Sequence, residues 1–420
     1  MTSNNNIPQG YKQTEIGVIP EDWELKSVNK HCTVKARIGW QGLRSDEYLE
    51  SGEYGLITST DIVEGTINWS TCYFVDKSRY LQDPNIIINE DDTLVSKDGT
   101  IGKVGIVQNI PFPSTLNSGV FVIRPRFDNV YKKYFAFVFK SIYFHDFINR
   151  LTAGSTIVHL YQKDIIRFIF PVPPLAEQKA IATALSDVDA LISALEKKIA
   201  KKKLIKQGAM QQLLTGKKRL PEFTEEWVEI KLGDLTTMNS GGTPSSSIAE
   251  YYNGNIPFLS ISDITTAGKY INKTEKCITE KGLQNSSARM YPIGTIMYAM
   301  YASLGKTSIS NIELSCSQAI LGIQPNHKLD SHYLYYHLSF IENEVKDMGQ
   351  TGTQSNLSKQ IVQNFILYIP TNIKEQQAIA TILSDMDKEI SDLEAKRDKY
   401  RLIKQGMMQK LLTGQIRLRY

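Results

Sequence analysis

The chain has 420 residues, with 48 Lys and Arg against 44 Asp and Glu and a formal net charge of +4. That length exceeds one ordinary core, so two or three domains are expected. A composition of 41% hydrophobic and 22% charged residues excludes a disordered or low-complexity chain.

Residues 1–175 read as a first variable unit. Its polar start lacks the apolar stretch of a secretory leader, and no apolar run in the chain is long enough for a membrane helix, so a cytoplasmic location and no membrane partner are expected. After the phrase Ile19-Pro20-Glu21-Asp22-Trp23 come short β-branched runs near 52–62, 92–103 and 119–125, broken by Gly, Asn and Pro, which predict strands and turns. An aromatic amphipathic helix follows at 131–149, then a polar Gly/Ser/Thr loop at 152–156 and an apolar strand at 168–172. Cys32 and Cys72 in this unit, with Cys277 and Cys316 later, form no Cys-x-x-Cys pair and predict reduced thiols rather than disulfides or a zinc site.

Residues 176–217 then predict one long helix. Ile181, Leu185, Val188, Ile192, Leu195 and Ile199 alternate spacings of four and three, a heptad seam. The helix is expected to begin after Pro174 and to end at Leu213-Leu214-Thr215-Gly216, where glycine can cap it. About 38 residues would span roughly 57 Å.

A second variable unit, 218–373, matches the first weakly but in order. Residues 254–264 parallel 52–62, residues 294–306 parallel 92–103, and residues 319–325 parallel 119–125. A helix at 331–346, a polar loop at 351–355 and an apolar strand at 365–369 complete the parallel. The chain closes on a second spacer helix, 374–420, with Ile379, Leu383, Met386, Ile390 and Leu393 in the same seam register. Residues 177–220 align without a gap to 375–418, with about 29 of roughly 44 positions identical.

The predicted fold class is therefore α+β, given twice, with two domains separated by two long helices. An amphipathic helix with one narrow seam needs a partner, and the other copy is the obvious one. A compact second unit with its ends close together would make the two helices antiparallel and the whole chain pseudo-twofold. The charge is uneven. Residues 1–175 carry 18 Lys/Arg against 19 Asp/Glu, and 221–373 carry 10 against 14. The repeats carry 10 against 4 and 10 against 7. The basic excess thus lies on the helices, which suits either a polyanionic partner or a solvated Lys-rich face.

No catalytic constellation stands out. Gly305-Lys306-Thr307 imitates the end of a P-loop, but the glycine needed five positions before Gly305 is Met300. Asp83-Pro84-Asn85-Ile86 lacks the second proline and the stacking aromatic of an adenine methyltransferase motif. His332 and His337 are not at zinc-helix spacing. Glu196-Lys197-Lys198 and Glu394-Ala395-Lys396 recur on helices, where such residues are solvated charges. A non-catalytic chain that binds no metal and no cofactor is expected.

In order and duplication, the chain resembles the specificity subunits of Type I restriction–modification systems, over its whole length. The carriers are the opening phrases Ile19–Trp23 and Pro221-Glu222-Phe223-Thr224-Glu225-Glu226-Trp227, and the turn Gly241-Gly242-Thr243-Pro244. Above all they are the two helices that open with Glu-Gln-Lys/Gln-Ala-Ile-Ala and close with Leu-Leu-Thr-Gly. The resemblance implies two target recognition domains that each read half of a split site in double-stranded DNA, with the helices as a ruler. It also implies two modification (methyltransferase) subunits docked on the helices, which would hold S-adenosylmethionine, and restriction (translocase/nuclease) subunits joining them. The first unit has Ile38-Gly39-Trp40-Gln41-Gly42 where the second has the Gly-Gly turn, so the two should differ in loop conformation and target.

Base readout needs polar side chains on rigid loops. In the first unit the candidates for DNA contact are Arg37, Gln41 and Arg44, then Ser96, Lys97, Thr100 and Lys103, then Ser155, Thr156 and His159. In the second they are Thr243 and Ser245, then Ser303 and Lys306, then Thr353, Gln354 and Ser355. A coiled-coil protein-interaction scaffold without DNA binding is the alternative.

Overall fold

The long helices form where the heptad pattern places them. In the computed structural model, which describes residues 7–39, 42–152, 159–351 and 356–418, one runs Leu175–Leu213 and the other Ile373–Leu412. Each closes with a glycine in the left-handed region, Gly216 at φ +68° and Gly414 at φ +71°. The chain divides into two units, and the division falls inside both helices. One unit holds residues 1–195 with 396–420, the other 196–395. Each unit therefore holds the start of one long helix and the end of the other.

In the first unit the two helix segments run antiparallel, with Lys404 paired to Asp189 at 2.5 Å. Ile181, Ala182 and Leu185 enter the same apolar core as Leu411 and Leu412. In the second unit Lys206 pairs with Asp387 at 2.5 Å and Lys202 with Glu389 at 2.8 Å, again antiparallel. There Ile379, Ala380 and Leu383 share a core with Leu213 and Leu214. This corrects one expectation about the seam. Matching seam residues were expected to face each other. Ile181 and Leu185 pack instead with the end of the second repeat, and Ile379 and Leu383 with the end of the first, as antiparallel segments within each unit require. Ile192, Leu195, Ile199 and Ile390 are buried, while Val188, Met386 and Leu393 are half-buried.

Both units carry the same α+β framework. The first has a six-stranded sheet in the order Cys32–Lys35, Val120–Pro125, Thr93–Ser96, Val104–Ile106, Thr66–Ile67, Ile62–Val63. The second has five strands in the matching order Thr236–Ser240, Ile320–Pro325, Ile296–Ala299, Thr307–Ser310, Tyr270–Ile271. A three-stranded sheet accompanies each, with one parallel and one antiparallel pairing. The helices Lys132–Phe139 and Ser331–Phe340 are buried almost all round, which explains their aromatic sequences.

One device, built twice, ties the repeats to these units. Glu177 and Glu375, the first acidic residues of the repeats, are fully buried. Trp23 Nε1 donates to Glu177 at 3.0 Å, and Arg417 grips the same carboxylate at 2.6 and 2.7 Å while also binding Asp22. In the second unit Trp227 Nε1 donates to Glu375 at 3.2 Å, and Arg219 grips it at 2.7 and 2.8 Å. The adjacent amides do equivalent work. Gln178 donates to the carbonyls of Asn129 and Pro173, and Gln376 to those of Lys328 and Pro370. Each carboxylate thus receives a charged fork and an indole, as a buried anion requires. The tail of each repeat closes on the head of the other.

Candidate nucleic-acid interface

The loop Lys97–Lys103 joins two antiparallel strands and is closed from inside. Ser96, fully buried, donates its hydroxyl to the Thr100 carbonyl at 2.6 Å and accepts from the Lys103 amide at 2.9 Å. The amide of Lys97 donates to the Gly119 carbonyl, and the carbonyl of Lys97 accepts from Leu160, both at 2.9 Å. These bonds gather three segments: the hairpin loop, the turn before strand Val120–Pro125, and the residues from His159 onward. Thr100 is exposed, and Lys97 and Lys103 are half-buried. The Lys97 ammonium sits 5.4 Å over the Phe121 ring. His159, which is 53% exposed, holds Asp98 through Nδ1 at 2.6 Å.

The second unit repeats the pattern with other side chains. The amide of Met300 donates to the Ala319 carbonyl, and the carbonyl of Met300 accepts from Leu357. Ser303 shares a hydrogen bond with Thr265 at 2.9 Å, and Lys306 is half-buried beside it. The Gly-Gly turn packs against the same place, with the amides of Gly241 and Gly242 donating to Ile320 and Cys316. A Cβ on Gly241 would overlap the carbonyl oxygens of Cys316 and Ser317, so backbone meets backbone here. Thr243 and Ser245 follow, both exposed.

The structure separates the candidates. Arg44, Lys97, Thr100, Lys103 and His159 in the first unit, and Thr243, Ser245, Ser303 and Lys306 in the second, offer accessible surface. Arg37 does not: it is 2% exposed, and its guanidinium donates to Leu116, Gln82, Arg79 and Thr115. Ser96 is likewise spent on its own loop. Both shape the framework instead of facing a ligand. Gln41, Ser155, Thr156, Thr353, Gln354 and Ser355 lie outside the described residues. Sequence reading passed over Asp98, whose partner His159 is remote in the chain, and gave no role to Glu177 and Glu375.

The exposed side chains are donors and acceptors on hydrogen-bonded loops, the equipment for reading base edges and phosphates. No cluster of three or more metal-ligating side chains occurs among the described residues, and His337 is buried in the helix core with its imidazole pushed down to about 4 by burial. Burial also pushes the Cys32, Cys72 and Cys316 thiols up to about 12. Among the described residues no helix is long and apolar enough to cross a membrane.

Residues 20–206 and 224–400 both match the family described as Type I restriction modification DNA specificity domain. The chain belongs to this family. It is 26% identical over 427 residues to the type I restriction enzyme MjaVIII specificity subunit of Methanocaldococcus jannaschii, spanning 96% of this chain and 94% of that one. A shorter match, 26% over 217 residues, covers 50% of this chain and 45% of the type I restriction enzyme EcoKI specificity subunit of Escherichia coli K12. The crystal structure of a Type I restriction–modification S subunit from M. genitalium aligns over 98% of both chains with a TM-score of 0.60 at 16% identity, so the fold is shared. Each matched segment contains one copy of the α+β framework.

Proposed function

We propose that this chain is the DNA sequence-recognition subunit of a type I restriction–modification complex. Residues 1–175 and 218–373 act as target recognition domains, and residues 176–217 and 374–420 as spacer helices. Each domain reads one block of a split site in double-stranded DNA. The single observation that carries this reading is one loop framework built twice, with different polar side chains, once in each unit. Because the side chains differ, the two blocks differ and the site is asymmetric. Arg44, Lys97, Thr100, Lys103 and His159 serve one block, and Thr243, Ser245, Ser303 and Lys306 the other. Gln41, Ser155 and Thr156, and Thr353, Gln354 and Ser355, are further candidates for DNA contact.

Two modification subunits dock, one on each repeat, and supply S-adenosylmethionine and methyl transfer. The matching exposed apolar residues Leu204 and Leu402, 69% and 70% accessible, support a site offered twice. Restriction subunits join this assembly in the cytoplasm, and recognition without catalysis is this chain's share. Methylome sequencing of a host with and without the gene tests the proposal. The expected outcome is a bipartite, asymmetric motif that disappears with the gene. A continuous or palindromic motif that depends on this chain would sink it.

A further inference from the structure

The two hairpin loops share four backbone bonds, although the side-chain bonds of Ser96 have no counterpart at Ala299. Ser96 to Lys103 and Ala299 to Lys306 close them, Gly102 to Ser96 and Gly305 to Ala299 tighten them, and Lys97 and Met300 make the same two outside bonds. At the tip of the first, Gly99 has φ +68°. At the same place in the second stands Ala302, with φ +57°. That region favours glycine, and asparagine or aspartate can offset its cost with side-chain hydrogen bonds. Alanine has no such recourse, yet the loop keeps its shape, so the surrounding bonds hold the tip in place. What this held turn presents is Tyr301, an exposed aromatic beside an exposed Ala302. The equivalent residue in the first unit is Asp98, bonded to His159. One backbone position therefore carries a different side chain in each unit, at the centre of each loop cluster.

We infer that positions 98 and 301 are equivalent base-reading positions, and that Tyr301 touches the block read by the second unit. The inference rests on the DNA-recognition reading above. A phenol in a groove sets its ring against a thymine methyl and donates its hydroxyl to a purine acceptor. A carboxylate such as Asp98 accepts from the exocyclic amine of cytosine. The same backbone point thus reads different bases in the two units.

The test uses the full chain assembled with its modification subunits and duplexes carrying the methylated site of the wild type, with each block randomised in turn. Tyr301→Ala should weaken binding to the intact site about tenfold and relax preference in one block only. Tyr301→Phe should lose preference at one base pair and keep the rest, while Asp98→Asn should alter only the other block. Ala302→Val, which cannot hold the turn, should copy Tyr301→Ala, and Ala302→Gly should behave as wild type. Unchanged affinity and unchanged preference in the assembled Tyr301→Ala complex would overturn this inference and leave the recognition reading standing. A wild-type complex with no sequence-specific site would be a failure of that reading instead.

Discussion

Arg37 hydrogen-bonds to groups that lie 42 to 79 positions along the chain. Nothing local marks them, so a cation just after a strand reads as a surface residue until the sheet is assembled. Replacing it with Met should cost about 2 kcal/mol, because the Leu116 carbonyl and its neighbours lose their donor. Chemical denaturation should show that loss, while the salt dependence of DNA binding stays as in the wild type. Lys140, half-buried with its ammonium over the Phe137 ring, is a second cation whose setting comes from remote residues. Burial, with help from Lys404 and against Asp189, pushes its amine down from 10.5 to about 8. Both folded and unfolded chains are protonated below that value, and the cost of the buried cation is then fully present. Between about pH 8 and 10 the unfolded chain binds more protons, so stability rises with pH. Relative to Lys140→Met, the wild type should therefore gain stability across that window. A pH-independent difference between the two in denaturant titrations would contradict the assignment.

At the scale of elements, the long helices were legible because a heptad is a local pattern repeated many times. The matching segments of the two units were legible as a parallel, but their order in the sheets was not, since strand pairing is set by remote contacts. The Glu177 and Glu375 clamps show the limit. Their sequence signature is a plain Glu-Gln at a helix start, and its meaning depends on Arg417 and Arg219, which lie 240 and 156 positions away. Arg417→Ala should leave a buried carboxylate with an indole as its remaining donor, apart from solvent, and cost about 3 kcal/mol. Arg219→Ala should do the same in the second unit, and calorimetry should resolve which unit each variant loosens. Along the helices, Ile192→Asp or Ile390→Asp forces a charge into a buried apolar position, with a cost of several kcal/mol visible in thermal melting.

For the whole molecule, the ruler model makes separable demands on domains and helices. Exchanging residues 218–373 for those of a relative should change one block of the methylated motif and leave the other block and the spacer alone. Lengthening both helices beside Leu204 and Leu402 should change the spacer and neither block. Methylome sequencing reads both results, and a helix insertion that altered a block would break the model. The reciprocal clamp also bears on descent. Of its side chains in the second unit, Arg219, Glu375 and Gln376 lie in the repeats, while the variable segment between them supplies the Trp227 indole and the backbone carbonyls of Glu225, Lys328 and Pro370. The two repeats also share about 29 of roughly 44 positions, which gives recombination a matching tract on either side of that segment. A foreign segment inserted there would need to bring little more than a tryptophan after its opening phrase and a final apolar strand to be accepted by the fold. New specificities can thus be inherited whole, without each one having to rediscover how to join the helices.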